Sequence, residues 1–346
     1  MRISYFILII ALLGCNNLAA QNRIDRKEVV SRHNIVSDKF SKRSPAQVGN
    51  GEIAFGADLT GLQTFIPFNI LSQWGWHSDP VPEGVNIDNF KGQQVLHNSK
   101  MVTYPLRNEE TEEQKLITEW LAGNPHRINL ARIAFSLLNE EGQEVAMTDL
   151  QNCLQKVDLW SGIISSYFEI DGIPVQVYTA CHPDRDLIVV TVESPLIGLK
   201  RLAVNISFPS ASANNSRKGN YIGIWNEPNR HATTYKEAKQ QVIFTRELDQ
   251  EKYYSALSWD TPCTFSEVDD NPHAFRLTPE GNKMAFTCEF SPKQIQKKPV
   301  AAKEGLLASR KGWKQFWESG AAVDLSESKD ERWFELERRI VLSRYL

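Results

Sequence analysis

The strongest constraint on the fold of this chain is a series of short apolar-alternating segments between residues 45 and 290. In GEIAFGADL, Ile53, Phe55, Ala57 and Leu59 fall on one side of an extended chain. Glu52, Ala54, Gly56 and Asp58 fall on the other. INLARIAFSLLN, YFEIDGIPVQVYTAC, DLIVVTVES, RLAVNISFP, QVIFTREL and MAFTCEF are further β-branched or aromatic runs. Turn pairs separate them, as at Asp171-Gly172, Pro183-Asp184 and Glu280-Gly281. Antiparallel strands joined in this way pack as a sandwich, so the expected fold class is mainly β. Residues 78–125 form a polar, irregular insert expected to cover part of a face, and residues 211–220 read as a solvated loop. No internal repeat of solenoid or propeller period is present.

The character changes after residue 292. SPKQIQKKP reads as a linker, and LLASRKGWKQFW as a helix with Trp313 and Trp317 one turn apart on one face. SESKDERWFELERRIVLSRYL opens with Ser328 and, three positions on, Glu331, the pattern of a capping box. Trp333, Leu336 and Ile340 then recur at helical spacing, with Phe334, Val341 and Tyr345 beside them. No Gly, Asn or Pro closes this helix. Its apolar stripe must be buried, either on the preceding sheet or, the favoured reading, within a larger helical domain that this sequence does not contain.

Across 346 residues, 41% are hydrophobic, enough for a sizeable core, and the net charge is −3. No basic excess exists to attract nucleic acid or an anionic membrane. Arg2 and the apolar run Ile3–Leu13 have the form of an export leader, and that run is too short to span a bilayer, which needs about 20 residues. Cleavage after Ala20 would release an exported protein, periplasmic or extracellular. ALLGC is also similar to a lipobox, in which Cys15 would carry a lipid anchor. The other cysteines, Cys153, Cys181, Cys263 and Cys288, read as small buried hydrophobes, although an exported location permits a disulfide.

Candidate binding residues cluster early. Gly49 and Gly51 flank Asn50 and suit a tight turn with positive φ that brings backbone close to a neighbour. In SQWGWH, Trp74 and Trp76 offer aromatic faces for the C–H faces of sugars, and Gln73, His77 and Asn50 offer hydrogen bonds to hydroxyls. The competing expectation is that both tryptophans plug into the sandwich. His126 and Arg127 of NPHR either orient sugar or, as favoured, pin the loop. Glu52 and Asp58 share a strand face, but six residues of straight strand separate them by roughly 20 Å, too far for a glycosidase carboxylate pair. The sequence contains no CxxC, HExxH, GxSxG or calcium-loop motif, so neither a metal nor a cofactor is expected.

VGNGEIAFGADLTGLQTF (48–65), SQWGWH (72–77), NPHRINLARI (124–133), HPDRDLIVV (182–190) and the closing WKQFWESGAAVDLS and ELERRIVLSRYL together carry a resemblance. They resemble the amino-terminal part of bacterial proteins related to glycoside hydrolase family 65, within the six-hairpin glycosidases. The resemblance implies a large antiparallel β-supersandwich over residues 21–292 after a leader at 1–20. It further implies linker helices over 293–325 and, over 326–346, the first helix of a truncated (α/α)6 barrel. In that family the catalytic carboxylates come from the barrel, so no position here matches them. The implied function is the sandwich domain of an exported enzyme acting on oligosaccharides, inactive without its barrel. A free-standing carbohydrate-binding or interaction module is the alternative, and an active hydrolase with a site inside the sandwich comes last.

Overall fold

The computed structural model describes residues 24–104, 111–211 and 223–346. The leader with Cys15 and nearly all of the 211–220 loop lie outside the described residues. The chain is mainly β, as its alternation predicts. One antiparallel sheet has nine strands, in the order Ile35–Ser37, Gln151–Asp158, Ile163–Ile170, Ile173–Cys181, Leu187–Glu193, Lys283–Ser291, Glu251–Trp259, Gln241–Leu248 and Ala232–Ala238. A second sheet orders Cys263–Val268, Asn271–Pro279, Leu202–Ser207 and Arg132–Leu137. A third joins Ala46–Gly49, Ile53–Ala57 and Ile70–Ser72.

Burial follows the pleat. Along Gln241–Leu248 the buried residues are Val242, Phe244, Arg246 and Leu248, every second position. Phe168, Val177, Val190 and Phe244 of the large sheet join Ile133, Val204, Phe275 and Phe55 of the smaller sheets in one core. The nine-stranded sheet has blunt edges: one terminal strand is the short Ile35–Ser37, and the other carries Lys236 and Glu237.

Among the described residues, five α-helices complete the fold: α1 (Arg26–Ser31), α2 (Glu112–Gly123), α3 (Pro195–Gly198), α4 (Ala302–Glu318) and α5 (Trp333–Tyr345). The 78–125 insert is less irregular than its composition predicts. It holds α2 and the hairpin Gln93–His97/Lys100–Tyr104. Thr111 caps α2 by accepting from the Gln114 N–H, and Glu112 and Glu113 suit the positive end of its dipole.

Helix α4 lies flat on the outer face of the large sheet, against Ile163–Ile170, Ile173–Cys181, Leu187–Glu193 and Lys283–Ser291. Gly305 and Gly312, seven residues apart and so on one helix face, make this approach feasible. A Cβ on Gly305 would sit 2.6 Å from Val189, and one on Gly312 would sit 2.7 Å from Pro183. Leu187–Glu193 is consequently buried on both faces: Ile188, Val190 and Val192 point into the main core, while Leu187 and Val189 pack beneath Ala302. Trp313 and Trp317 do share a face, with rings 6.1 Å apart, and the Trp317 indole donates to Leu159 O at 2.7 Å.

Helix α5 departs from its sequence reading twice. It begins at Trp333 and has no side-chain cap. Ser328 Oγ instead accepts from the Asp330 N–H at 3.2 Å, within a turn, so the expected capping box does not form. The buried stripe is also different: Glu337, Val341 and Tyr345 face inward, while Phe334 and Leu336 are 44% and 53% exposed. The reason is a set of polar partners around Glu337, the Arg32 guanidinium among them at 3.5 Å from Oε1. Glu337 Oε1 lies 2.7 Å from His33 Nε2, both side chains fully buried, and Glu337 Oε2 accepts the Leu325 N–H at 2.6 Å. Tyr345 closes the stripe by donating to Gln47 O at 2.9 Å and stacking on Trp313 at 4.6 Å.

Candidate functional site

The turn at Gly49-Asn50-Gly51 shapes one wall of a cleft of about 510 Å³. Each residue of the turn has a physical reason to be there. A Cβ at Gly49 would lie 2.5 Å from Ile53 O, and Gly51 has φ +89°. The Asn50 amide donates to His182 O at 3.2 Å and Arg185 O at 3.1 Å, while its oxygen accepts the N–H groups of Glu52 and Ile53, each at 2.9 Å. Its full hydrogen-bonding capacity is thus taken up within the chain. Asn50 fixes the shape of the wall rather than offering a free polar group.

The open polar groups of the cleft come from other residues. Gln73 and Glu52 are exposed at its rim. Arg127 lines it, donating to Ser72 O at 2.6 Å with its guanidinium 3.9 Å over the Trp76 ring. The opposite wall is aromatic: Trp313, Phe316 and Tyr345, with Arg344 over Phe316 at 5.3 Å.

Of the residues singled out in the sequence, Asn50 and Gln73 line this cleft, and Trp74, Trp76 and His77 do not. A turn at Gln73-Trp74 breaks the strand and parts the two tryptophans, so simple alternation does not relate them. Trp74 is half-buried, packs on the core 6.1 Å from Tyr253, and donates to Asp186 Oδ2 at 2.7 Å. Trp76 stays 43% exposed beneath Arg127. Asp58 is buried and accepts from Thr60 N–H and Oγ1 and from the Phe65 and Ile66 N–H groups. Burial pushes its carboxyl above the usual range, and those hydrogen bonds oppose the shift. It anchors the 60–66 loop, whereas Glu52 is exposed, which fits the hydrogen-bonded alternative to a catalytic pair. Cys181 and Cys288 are buried, Cys153 and Cys263 are half-buried, and all four are free. Burial raises the Cys288 thiol to about 12.

His77 turns inward from Trp76. It sits directly opposite His126 in a two-residue antiparallel ladder, 49 positions away in sequence. Its Nδ1 is 3.1 Å from His126 Nε2, and its Nε2 is 2.8 Å from Asp249 Oδ2. Asp79 Oδ1 lies 3.9 Å from His77 Nδ1, and Glu251 Oε2 lies 3.8 Å from His77 Nε2. Burial, then the neighbouring His77, lowers the pKa of His126. Ligating atoms of His77, Asp79 and His126 all fall within 4.8 Å of one another, the one such trio among the described residues. No spacing motif announces it, because the ladder, not the local sequence, brings the rings together.

No protein-family model matches the chain, and no curated protein matches it. Among solved structures, it is similar to a protein assigned as a kojibiose phosphorylase from the human microbiome, with TM-score 0.46 and 10% identity, covering 89% of this chain and 37% of that one. It is also similar to the family GH92 α-mannosidase of Bacteroides thetaiotaomicron, with TM-score 0.28 and 6% identity, covering 63% of this chain and 32% of that one. The chain thus spans about a third of the length of each of these proteins.

Proposed function

We propose that this chain is the sandwich domain of a carbohydrate-active enzyme of the glycoside hydrolase type, and that its cleft contacts an oligosaccharide. One observation carries the reading. The segments behind the family 65 resemblance are scattered over the whole sequence, yet each sends residues into the same cleft: Asn50, Gln73, Arg127, Pro183, Trp313 and Tyr345. An aromatic wall opposite a few open polar groups suits a sugar, whose ring has apolar faces and a hydroxyl rim. The catalytic carboxylates belong, in this proposal, to a helical barrel domain outside these 346 residues. The exposed Phe334 and Leu336 supply a surface for it. Residues 21–292 would be the sandwich, 293–325 the connection and 326–346 the first helical element. Export by the leader, with or without a lipid on Cys15, belongs to the same proposal, and cell fractionation of wild type and Cys15→Ala tests it.

The test of sugar contact is titration of the purified protein with a panel of α- and β-linked oligosaccharides, followed by tryptophan fluorescence and calorimetry. At least one should bind, and Phe316→Ala and Gln73→Ala should each weaken it about tenfold, the loss of roughly 1.4 kcal/mol. No response to any sugar by either method overturns sugar contact. Binding unchanged in both variants moves it away from this cleft.

A further inference from the structure

The paired histidines pose a donor–acceptor problem that their own chemistry cannot solve in the neutral state. His77 Nε2 faces the Asp249 carboxylate at 2.8 Å, and a carboxylate only accepts, so this nitrogen carries a proton. His126 Nδ1 faces the Gly123 carbonyl at 3.3 Å, which likewise only accepts, so it too carries a proton. The two remaining nitrogens, His77 Nδ1 and His126 Nε2, are then bare lone pairs 3.1 Å apart in a buried site. Lone pairs at that distance repel. A cation between them, either an extra proton or a metal ion, removes the conflict.

The surroundings favour a metal. Histidines that bind metals usually donate their other N–H to a carboxylate or a backbone carbonyl, which fixes the tautomer and aims the lone pair at the ion. Asp249 and Gly123 O occupy those two positions. Asp79 Oδ1 converges on the Nδ1 side of His77, in the position of the third ligand that a metal ion needs. At a metal–nitrogen distance of about 2.0–2.1 Å, two ligands of a tetrahedron sit about 3.3 Å apart. A shift of a few tenths of an ångström opens the observed contact to that value. Arg230 lies 3.7 Å from Asp79 Oδ1 but is 40% exposed and also pairs with Glu227 at 3.0 Å, so it can yield the carboxylate.

We propose that His77 Nδ1, His126 Nε2 and Asp79 Oδ1 bind a divalent ion of the zinc class, with a fourth position left for water. Two imidazoles and one carboxylate suit zinc better than calcium or magnesium, which prefer all-oxygen sets. The site has an architectural meaning. His77 ends the strand before the 78–125 insert, and His126 begins the strand after it. The ion staples the two ends of that insert together and, through Asp249, ties them to the turn after Gln241–Leu248.

The test uses the intact protein, treated with chelator and dialysed, then titrated with Zn²⁺ alone. Calorimetry should show about one ion per chain, and the melting temperature should rise by several degrees. Ca²⁺ and Mg²⁺ should do neither. His126→Ala should abolish the binding. The milder Asp79→Asn, which leaves both rings in place, should weaken it at least tenfold. Asp249→Asn should weaken it about 10–100-fold by loosening the orientation of His77. Circular dichroism checks that each variant is folded. Two results overturn the proposal. One is absence of Zn²⁺ binding by folded wild-type protein. The other is Zn²⁺ binding unchanged in both Asp79→Asn and His126→Ala. Imidazole ¹⁵N spectra in the presence of Zn²⁺ should show metal-bound nitrogens on both rings; a doubly protonated His77 there means that a proton alone fills the gap, and overturns it as well.

Discussion

Helices α4 and α5 follow one another in the chain and are both amphipathic, yet they meet the sandwich in opposite ways. Helix α4 is sunk into the sheet surface. Its contact face includes the small residues Ala302, Gly305, Ser309 and Gly312, and its large anchor Trp317 is buried and hydrogen-bonded. Helix α5 buries Glu337, Val341 and Tyr345 and leaves Phe334 and Leu336 largely exposed. Close backbone approach gives α4 many dispersion contacts over a continuous area. The polar contacts of Glu337 with His33 and Arg32, the buried Val341, the Arg344 hydrogen bond to Ala321 O and the stacked Tyr345 hold α5. The lesson is that hydrophobicity alone does not decide which face of a helix goes inward; the partner surface does.

The largest expected effect breaks the comparison on the α4 side. Trp317→Ala removes a buried indole and leaves Leu159 O without its donor. It should destabilise the domain by about 3–5 kcal/mol in chemical denaturation, as one cooperative transition. Glu337→Gln should cost less, about 1–3 kcal/mol, because the amide keeps the shape but turns an NH2 donor toward either His33 Nε2 or the Leu325 N–H. Its signature should be local: hydrogen exchange should speed up along 333–345 while α4 keeps its protection. If both helices lose protection together, they form one unit and the contrast drawn here fails. Leu336→Ser, on the outward face, should change stability by less than about 0.5 kcal/mol. A substantially larger loss would mean that this face is covered in solution.

Much of the sandwich was legible because burial on one face imposes a period of two. The strands in YFEIDGIPVQVYTAC and QVIFTREL are examples, and both match Ile163–Ile170, Ile173–Cys181 and Gln241–Leu248. Ala232–Ala238 was not legible, since an exposed edge strand carries no such pattern. The reading of α5 went astray for an electrostatic reason. Glu337 reads as a surface residue until His33, 304 positions away, is seen to hydrogen-bond it. At the candidate site, the glycine turn was visible from its residue types alone. The aromatic wall opposite it was not, because the docking of α4 and α5 creates that wall. The histidine pair was invisible for the same kind of reason, its members lying at the two ends of a long insert.

The two-residue strand Trp76–His77 presents one side chain to solvent and the next to the interior. Indels in the short stretch from 71 to 75 are therefore a special hazard for this molecule. Losing a single residue there would shift the register by one, bringing the imidazole out beneath Arg127 and leaving Ser78 to face Asp249. Both neighbourhoods would be disrupted by one event, so any lineage that keeps either of them is under pressure to keep the length of that connection fixed.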